Sequence, residues 1–275
     1  MLTSKTHKSN IEKDNYSAED YANWGFIHLE NKDYDEALKC FQKIIELEPN
    51  NPKNFINLGH IYEKMDMLDS AKKFYENALK IKNNNIEAII HIGHILELQG
   101  DYHQAVNQYK TAINIDPRAI EPRFCLATLY DKHDMYDEAA EEYQLILEIN
   151  PKHTKALHNL GRIHFQYGDY AEALKSFQHV LKLQPENTDA WNDLGSVYEI
   201  TNNVIQAIST YRKALGIDPF HEETNFNLAN AHFSLFLSSP NIVNIEDIIK
   251  RLNFILSRNP HNKKVQELLN KIKGS

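Results

Sequence analysis

The sequence predicts an all-α protein built as a stack of repeated helix pairs, and three observations predict it. The chain repeats itself every 34 residues: Ala156-Leu157-His158-Asn159-Leu160-Gly161 returns as Ala190-Trp191-Asn192-Asp193-Leu194-Gly195. Apolar and small residues recur inside each period at helical spacing. Proline closes most periods, at Pro49, Pro117, Pro151, Pro185 and Pro219. A fixed period of this length marks a solenoid, in which each unit buries its apolar surface on its neighbours and length adds units rather than domains.

The elements follow in order. Met1 to Asn15 is polar, with Lys5, Lys8 and Lys13 and no apolar core behind them, so a secretory signal is not expected. Residues 1–17 are read as a disordered polar tail. With each repeat numbered 1 to 34 from Ala18, six tile without a gap: 18–51, 52–85, 86–119, 120–153, 154–187 and 188–221. Positions 4, 7, 8 and 11 share one side of a first helix, A, and form its buried face. Position 7 reads Trp24, Leu58, Ile92, Leu126, Leu160, Leu194, and position 8 reads Gly25, Gly59, Gly93, Ala127, Gly161, Gly195. Position 20 is alanine throughout, from Ala37 to Ala207. The near absence of side chain at 8 and 20 lets helix A lie close against a second helix, B. Position 24 is aromatic: Phe41, Tyr75, Tyr109, Tyr143, Phe177, Tyr211. The turn between the helices carries pairs such as Gly100-Asp101 and Gly168-Asp169, suited to a helix end and the next N-cap. Proline at 32 lacks an amide hydrogen and restricts the residue before it, so helix B stops there.

A seventh, degenerate repeat is expected over 222–260, with an enlarged turn at Ser238-Ser239-Pro240-Asn241 and seven extra residues if Pro260 is its position 32. Residues 261–275 are read as a capping helix. Val265, Leu268, Leu269 and Ile272 make its apolar stripe, and Lys264, Glu267 and Lys271 lie off it.

These residues resemble the tetratricopeptide repeat (TPR) family, continuously over 18–221 and degenerately to the C-terminus. The departures are local: Arg123 at position 4, Asn83 in place of a proline, and His28 and His164 at position 11 where Tyr is usual. The resemblance implies a right-handed superhelix whose helix A lines the concave side, and a protein that binds other proteins.

Composition narrows the function. The formal net charge is −8, which argues against a general nucleic-acid binder. Two cysteines, Cys40 and Cys125, make no disulfide framework and suit a reducing compartment, so the cytoplasm is expected. No apolar run reaches membrane-spanning length. There is no nucleophile elbow, phosphate loop or dinucleotide fingerprint, so neither an enzyme nor a cofactor is expected.

The candidate binding residues lie on helix A opposite its core positions. Position 6 reads Asn23, Asn57, His91, Cys125, Asn159, Asp193, Asn227. A side-chain amide both donates and accepts, so a row of them would hold an extended peptide by its backbone. The row resembles the asparagine ladder of O-linked N-acetylglucosamine transferases, with His91 and Cys125 as departures. The alternative is a solvated helix face. Ile56, Ile90 and Phe124 at position 5 would add an exposed apolar stripe, or else belong to packing. Glu63, Glu97 and Asp131 at position 12 are read as acidic neighbours of this groove, and Arg123, Lys155 and Arg162 as a basic island. No repeat carries the lysine of a chaperone-type carboxylate clamp at position 5, so that co-chaperone role is not expected. His60, His91 and His94, with Cys125, could be imagined as a metal site, but exposed polar contacts are preferred and no metal is expected. The expected function is a non-catalytic scaffold binding an extended segment of another protein. The alternatives are a metal-dependent or catalytic accessory protein, and a regulatory or self-associating subunit docking through its convex face.

Overall fold

The computed structural model describes residues 16–274. The described residues hold fifteen α-helices and no strand. They form an all-α helical solenoid that divides into two compact units, Met1–Leu129 and Tyr130–Ser275. The expected tail at 1–15 lies outside the described residues. Tyr16 and Ser17, also assigned to that tail, are engaged: Tyr16 packs edge-on against Trp24, and the Ser17 hydroxyl accepts the Asp20 amide hydrogen as the first N-cap.

In the first unit, α1 (Ala18–Glu30), α3 (Pro52–Lys64) and α5 (Ile86–Leu98) are A helices. They pair with the B helices α2 (Tyr34–Leu47), α4 (Leu68–Ile81) and α6 (Tyr102–Ile115). Helix α7 (Ile120–Lys132) contributes residues on both sides of the division. In the second unit, α8 (Tyr136–Ile149) packs on α9 (Thr154–Gln166), which pairs with α10 (Tyr170–Leu183). Next come α11 (Thr188–Ile200) with α12 (Val204–Ile217), α13 (Glu222–Ser238) with α14 (Ile245–Arg258), and finally α15 (Lys263–Gly274).

Each pair is shaped by three recurring residues. Position 15 adopts a left-handed backbone in all six regular repeats: Lys32 (φ 59°), Asp66, Gly100, Asp134, Gly168 and Asn202. Two of these are glycine and three are Asp or Asn, which tolerate this conformation, so Lys32 is the position where the hairpin imposes it on a side chain that disfavours it. Position 8 lies under the aromatic ring of position 24. A Cβ built on Gly59 would sit 2.5 Å from the Tyr75 ring, and one on Gly93 would sit 2.7 Å from Tyr109. In the five repeats with glycine at position 8 the helices approach this closely because that carbon is missing; the fourth carries Ala127, and the position-24 rings are wholly buried in all six.

The third element is a pairing between positions 12 and 24. Where 24 is Tyr, the hydroxyl meets an acid on helix A: Tyr75 donates to Glu63, Tyr109 to Glu97 (3.3 Å), and Tyr211 to Glu199 (2.8 Å). Tyr143, in the repeat with the shorter Asp131, instead accepts a hydrogen from Asn159 Nδ2 at 2.8 Å. Where 24 is Phe, as at Phe41 and Phe177, position 12 is Leu29 or Phe165. A buried hydroxyl needs a partner and a buried phenyl ring does not, so the two positions vary together. Glu63 and Glu97, expected as groove charges, are therefore hydrogen-bond partners of the core.

Helix A also has a second buried side that positions 4, 7, 8 and 11 do not describe. Ala190 and Val197, at positions 3 and 10, pack with Phe177, Val180 and Leu181 of the preceding helix B. Ile61, again at position 10, packs with Phe41 and Ile44 in the same way. An A helix thus touches its own B helix and the preceding one, which narrows its solvent-facing arc.

Of the seven extra residues near Pro240, four lengthen α13, which has 17 residues against 13 in α11. The rest lengthen the connection from α13 to α14. The stack closes on α15: Val265, Leu268, Leu269 and Ile272 are buried with Ile248, Leu252 and Ile255 of α14.

Candidate functional site: the front face of the A helices

Position 6 is never fully buried in an A helix, while positions 3, 7, 8 and 10 turn inward in all of them but α1. Asn23 is exposed, and Asn57, His91, Cys125, Asn159, Asp193 and Asn227 are half-buried. What each side chain does differs between the two units.

In the first unit, among the described residues, the amides of Asn23 and Asn57 make no side-chain hydrogen bond. His91 enters a cluster. Its Nε2 lies 2.9 Å from His60 Nε2, and its Nδ1 lies 3.3 Å from Glu63 Oε2. The ring stacks on Tyr75 with centroids 4.9 Å apart. His94 Nδ1 reaches the other Glu63 oxygen at 3.3 Å. Burial alone would raise the Glu63 carboxyl, but hydrogen bonds from His91, His94 and Tyr75 outweigh it and hold the group well below the usual carboxylate range. Burial, followed by the His91 charge, pushes the His60 imidazole down, so it favours the neutral form. One ligand atom from each of His60, Glu63 and His91 lies within 4.8 Å of the other two, the only such group of three or more among the described residues. Cys125, the imagined fourth member, does not belong to it.

The apolar stripe requires a correction. Ile56 is 1% exposed and Ile90 5%, so both belong to the core. Position 5 falls on the narrowed arc of a helix flanked by other helices, and packing covers it. Phe124 is half-buried. Arg123, assigned to the basic island, donates from Nη2 to the Pro117 carbonyl at 3.1 Å, whereas Lys155 and Arg162 on α9 are exposed.

In the second unit the same face is tied to itself. Asn159 donates to Tyr143, and His158 meets Asp193 at 2.8 Å. Asn192 is buried, and its Oδ1 accepts from both Thr224 Oγ1 and Asn227 Nδ2, each at 3.0 Å. Asn230 donates to Glu199 at 2.8 Å. Three rungs of the expected ladder, Asn159, Asp193 and Asn227, are therefore each engaged with another residue of this unit.

Stacked helix pairs with the same small-residue and aromatic contacts in each period define a helical-repeat protein of the α-solenoid class. Comparison with known proteins places it more closely. Models described as tetratricopeptide repeat match residues 18–51, 52–85 and 158–222, and one described as TPR repeat matches 93–134. The chain belongs to the tetratricopeptide repeat family. Among solved structures it is similar to YrrB, a TPR protein with an unusual peptide-binding site, at 24% identity over 67% of this chain and 95% of that one, with a TM-score of 0.54. It is similar to a TPR protein from Parabacteroides merdae at 19% identity over 93% and 98%, with a TM-score of 0.65. It is also similar to pilF of Pseudomonas aeruginosa at 15% identity over 80% and 97%, with a TM-score of 0.68. At these identities the likeness is one of fold. No curated protein matches. Among the described residues no helix is long and apolar enough to cross a membrane.

Proposed function

We propose that the protein is a non-catalytic interaction scaffold that holds an extended segment of a partner protein along the front face of its A helices. Proteins of this family bind other proteins, and the tiling of 18–260 into seven repeats capped by 261–275 belongs to the same proposal. The observation that carries it is the polar row at position 6, which keeps access to solvent once per repeat, while positions 3, 7, 8 and 10 are buried in every A helix after the first. Asn23 and Asn57 supply that row with amides that no other described side chain occupies. An amide on a rigid helix pairs with a peptide N–H and C=O without first ordering a loop, so little conformational freedom is lost on binding. The similarity to YrrB, whose peptide-binding site is known, supports the same reading.

The test is selection of peptides from a displayed library of unstructured sequences on the full chain, followed by affinity measurement. Each of Asn23→Ala and Asn57→Ala is expected to weaken a selected peptide about 2- to 10-fold, the worth of one hydrogen bond. Failure to select any peptide, or affinities unmoved by the double variant with folding intact, would overturn the proposal.

A further inference from the structure

The His60–Glu63–His91 cluster has a chemistry that peptide binding does not use. Its parts come from two helices, α3 and α5, in successive repeats. Glu63 Oε2 accepts from the Tyr75 hydroxyl and lies within reach of His91 Nδ1. His91 Nε2 faces His60 Nε2, and stacking on Tyr75 fixes the plane of the His91 ring.

Two Nε2 atoms facing each other at 2.9 Å either share one proton or share a cation. On a tetrahedral ion with bonds of about 2.0–2.1 Å, two nitrogens stand about 3.3–3.4 Å apart, so small side-chain rotations would convert the one arrangement into the other. We propose that His60 Nε2, His91 Nε2 and the Glu63 carboxylate bind one divalent first-row transition metal ion, with Zn²⁺ and Ni²⁺ as fitting examples. Two imidazoles and one carboxylate suit such ions better than Mg²⁺ or Ca²⁺, which prefer all-oxygen shells. The protein supplies three ligands, so the ion keeps at least one position for water or for a donor atom from a bound partner. His94, on the far Glu63 oxygen, helps to orient that carboxylate. The ion would also staple the second repeat to the third, because its ligands lie 31 residues apart in sequence.

The experiment is titration of chelator-stripped full-length protein with Zn²⁺ and, separately, Ni²⁺, followed calorimetrically and by metal analysis after dialysis. One tight equivalent is expected, with Mg²⁺ failing to compete. His60→Asn and His91→Asn should each weaken it at least 10-fold, and Glu63→Gln about 10- to 100-fold. The chain has 14 histidines, so the double variant His60→Asn/His91→Asn separates this site from scattered binding. No stoichiometric equivalent in the wild-type protein, or an equivalent retained unchanged in the double variant, would overturn the assignment. If His91→Asn unfolds, the half-buried His60→Asn alone carries the same test, with helicity of the metal-free variant as the control.

Discussion

The front faces of the two units use the same helical positions in opposite ways. In the first unit, Asn23 and Asn57 leave their amides uncommitted among the described residues, while His60 and His91 face each other nitrogen to nitrogen. In the second unit the corresponding positions are joined into hydrogen-bonded sets: Asn159 to Tyr143, His158 to Asp193, Asn192 to Thr224 and Asn227. The difference teaches that position 6 is decided by its neighbours. Where position 5 is isoleucine, as at Ile56 and Ile90, it sinks into the core and offers no hydrogen bond, and His91 at position 6 turns instead to His60 and Glu63. Where position 5 is His158 or Asn192, it offers one. The first unit leaves two of these amides open, and the second ties its own side chains together.

The contrast can be broken most severely at Asn192. Replacing it with Leu removes an acceptor from both Thr224 and Asn227 and leaves the buried Thr224 hydroxyl only His221 Nδ1, at a cost of about 1–3 kcal/mol. Hydrogen exchange of α11 and α13 amides should report that loss, while Asn57→Leu in the first unit stays within about 0.5 kcal/mol. Near-equal effects would erase the distinction between the faces.

A smaller effect belongs to His232, also in the second unit. It lines a cleft with Ile205, Arg212 and Ile242, and its Nε2 lies 3.3 Å from an Arg212 guanidinium nitrogen. Burial, then the positive charges of Arg212 and Arg251, push its imidazole down to about 4 from an ordinary 6.5, with Asp247 pulling weakly the other way. Between those values the unfolded chain binds a proton that the folded chain refuses. Stability therefore falls as pH drops from 6.5 towards 4. With screening of this half-buried group the loss is about 1 kcal/mol. His232→Tyr, the residue type already present at Tyr62, Tyr130 and Tyr198, should flatten that slope in denaturation curves at pH 7 and pH 5.

The smallest change sharpens the comparison at the hairpins. Lys32 holds a left-handed backbone without glycine's freedom, so Lys32→Gly should stabilise the first pair by about 0.5–1 kcal/mol in thermal unfolding. Asn202→Gly, in the second unit, should change little, because asparagine accepts that conformation readily.

Much of this was readable in the chain. The 34-residue period placed Gly59 beneath Tyr75, and the stripe from Val265 to Ile272 foretold a buried face on the last helix. The pairing of Glu63 with Tyr75 was also present, at 12-residue spacing, but a lone acid on a helix reads as solvated until its partner is known. Ile56 and Ile90 were misplaced because one helical wheel sees one partner, and these helices have several. The His60–His91 approach and the Asn192–Asn227 bond span 31 and 35 residues, and depend on how one repeat is rotated on the next. A periodic pattern states that neighbours stack, not which rotamers meet.

The link between α13 and α14 carries a practical consequence. Hairpins such as Asn31-Lys32-Asp33 have no slack, since one inserted residue would wind a helix onward by about 100° and pull every knob from its hole. The span from Ser239 to Asn244 stands outside that gearing and keeps Pro240 and Ile242 in solvent. It is the natural splice point for a reporter or an affinity handle.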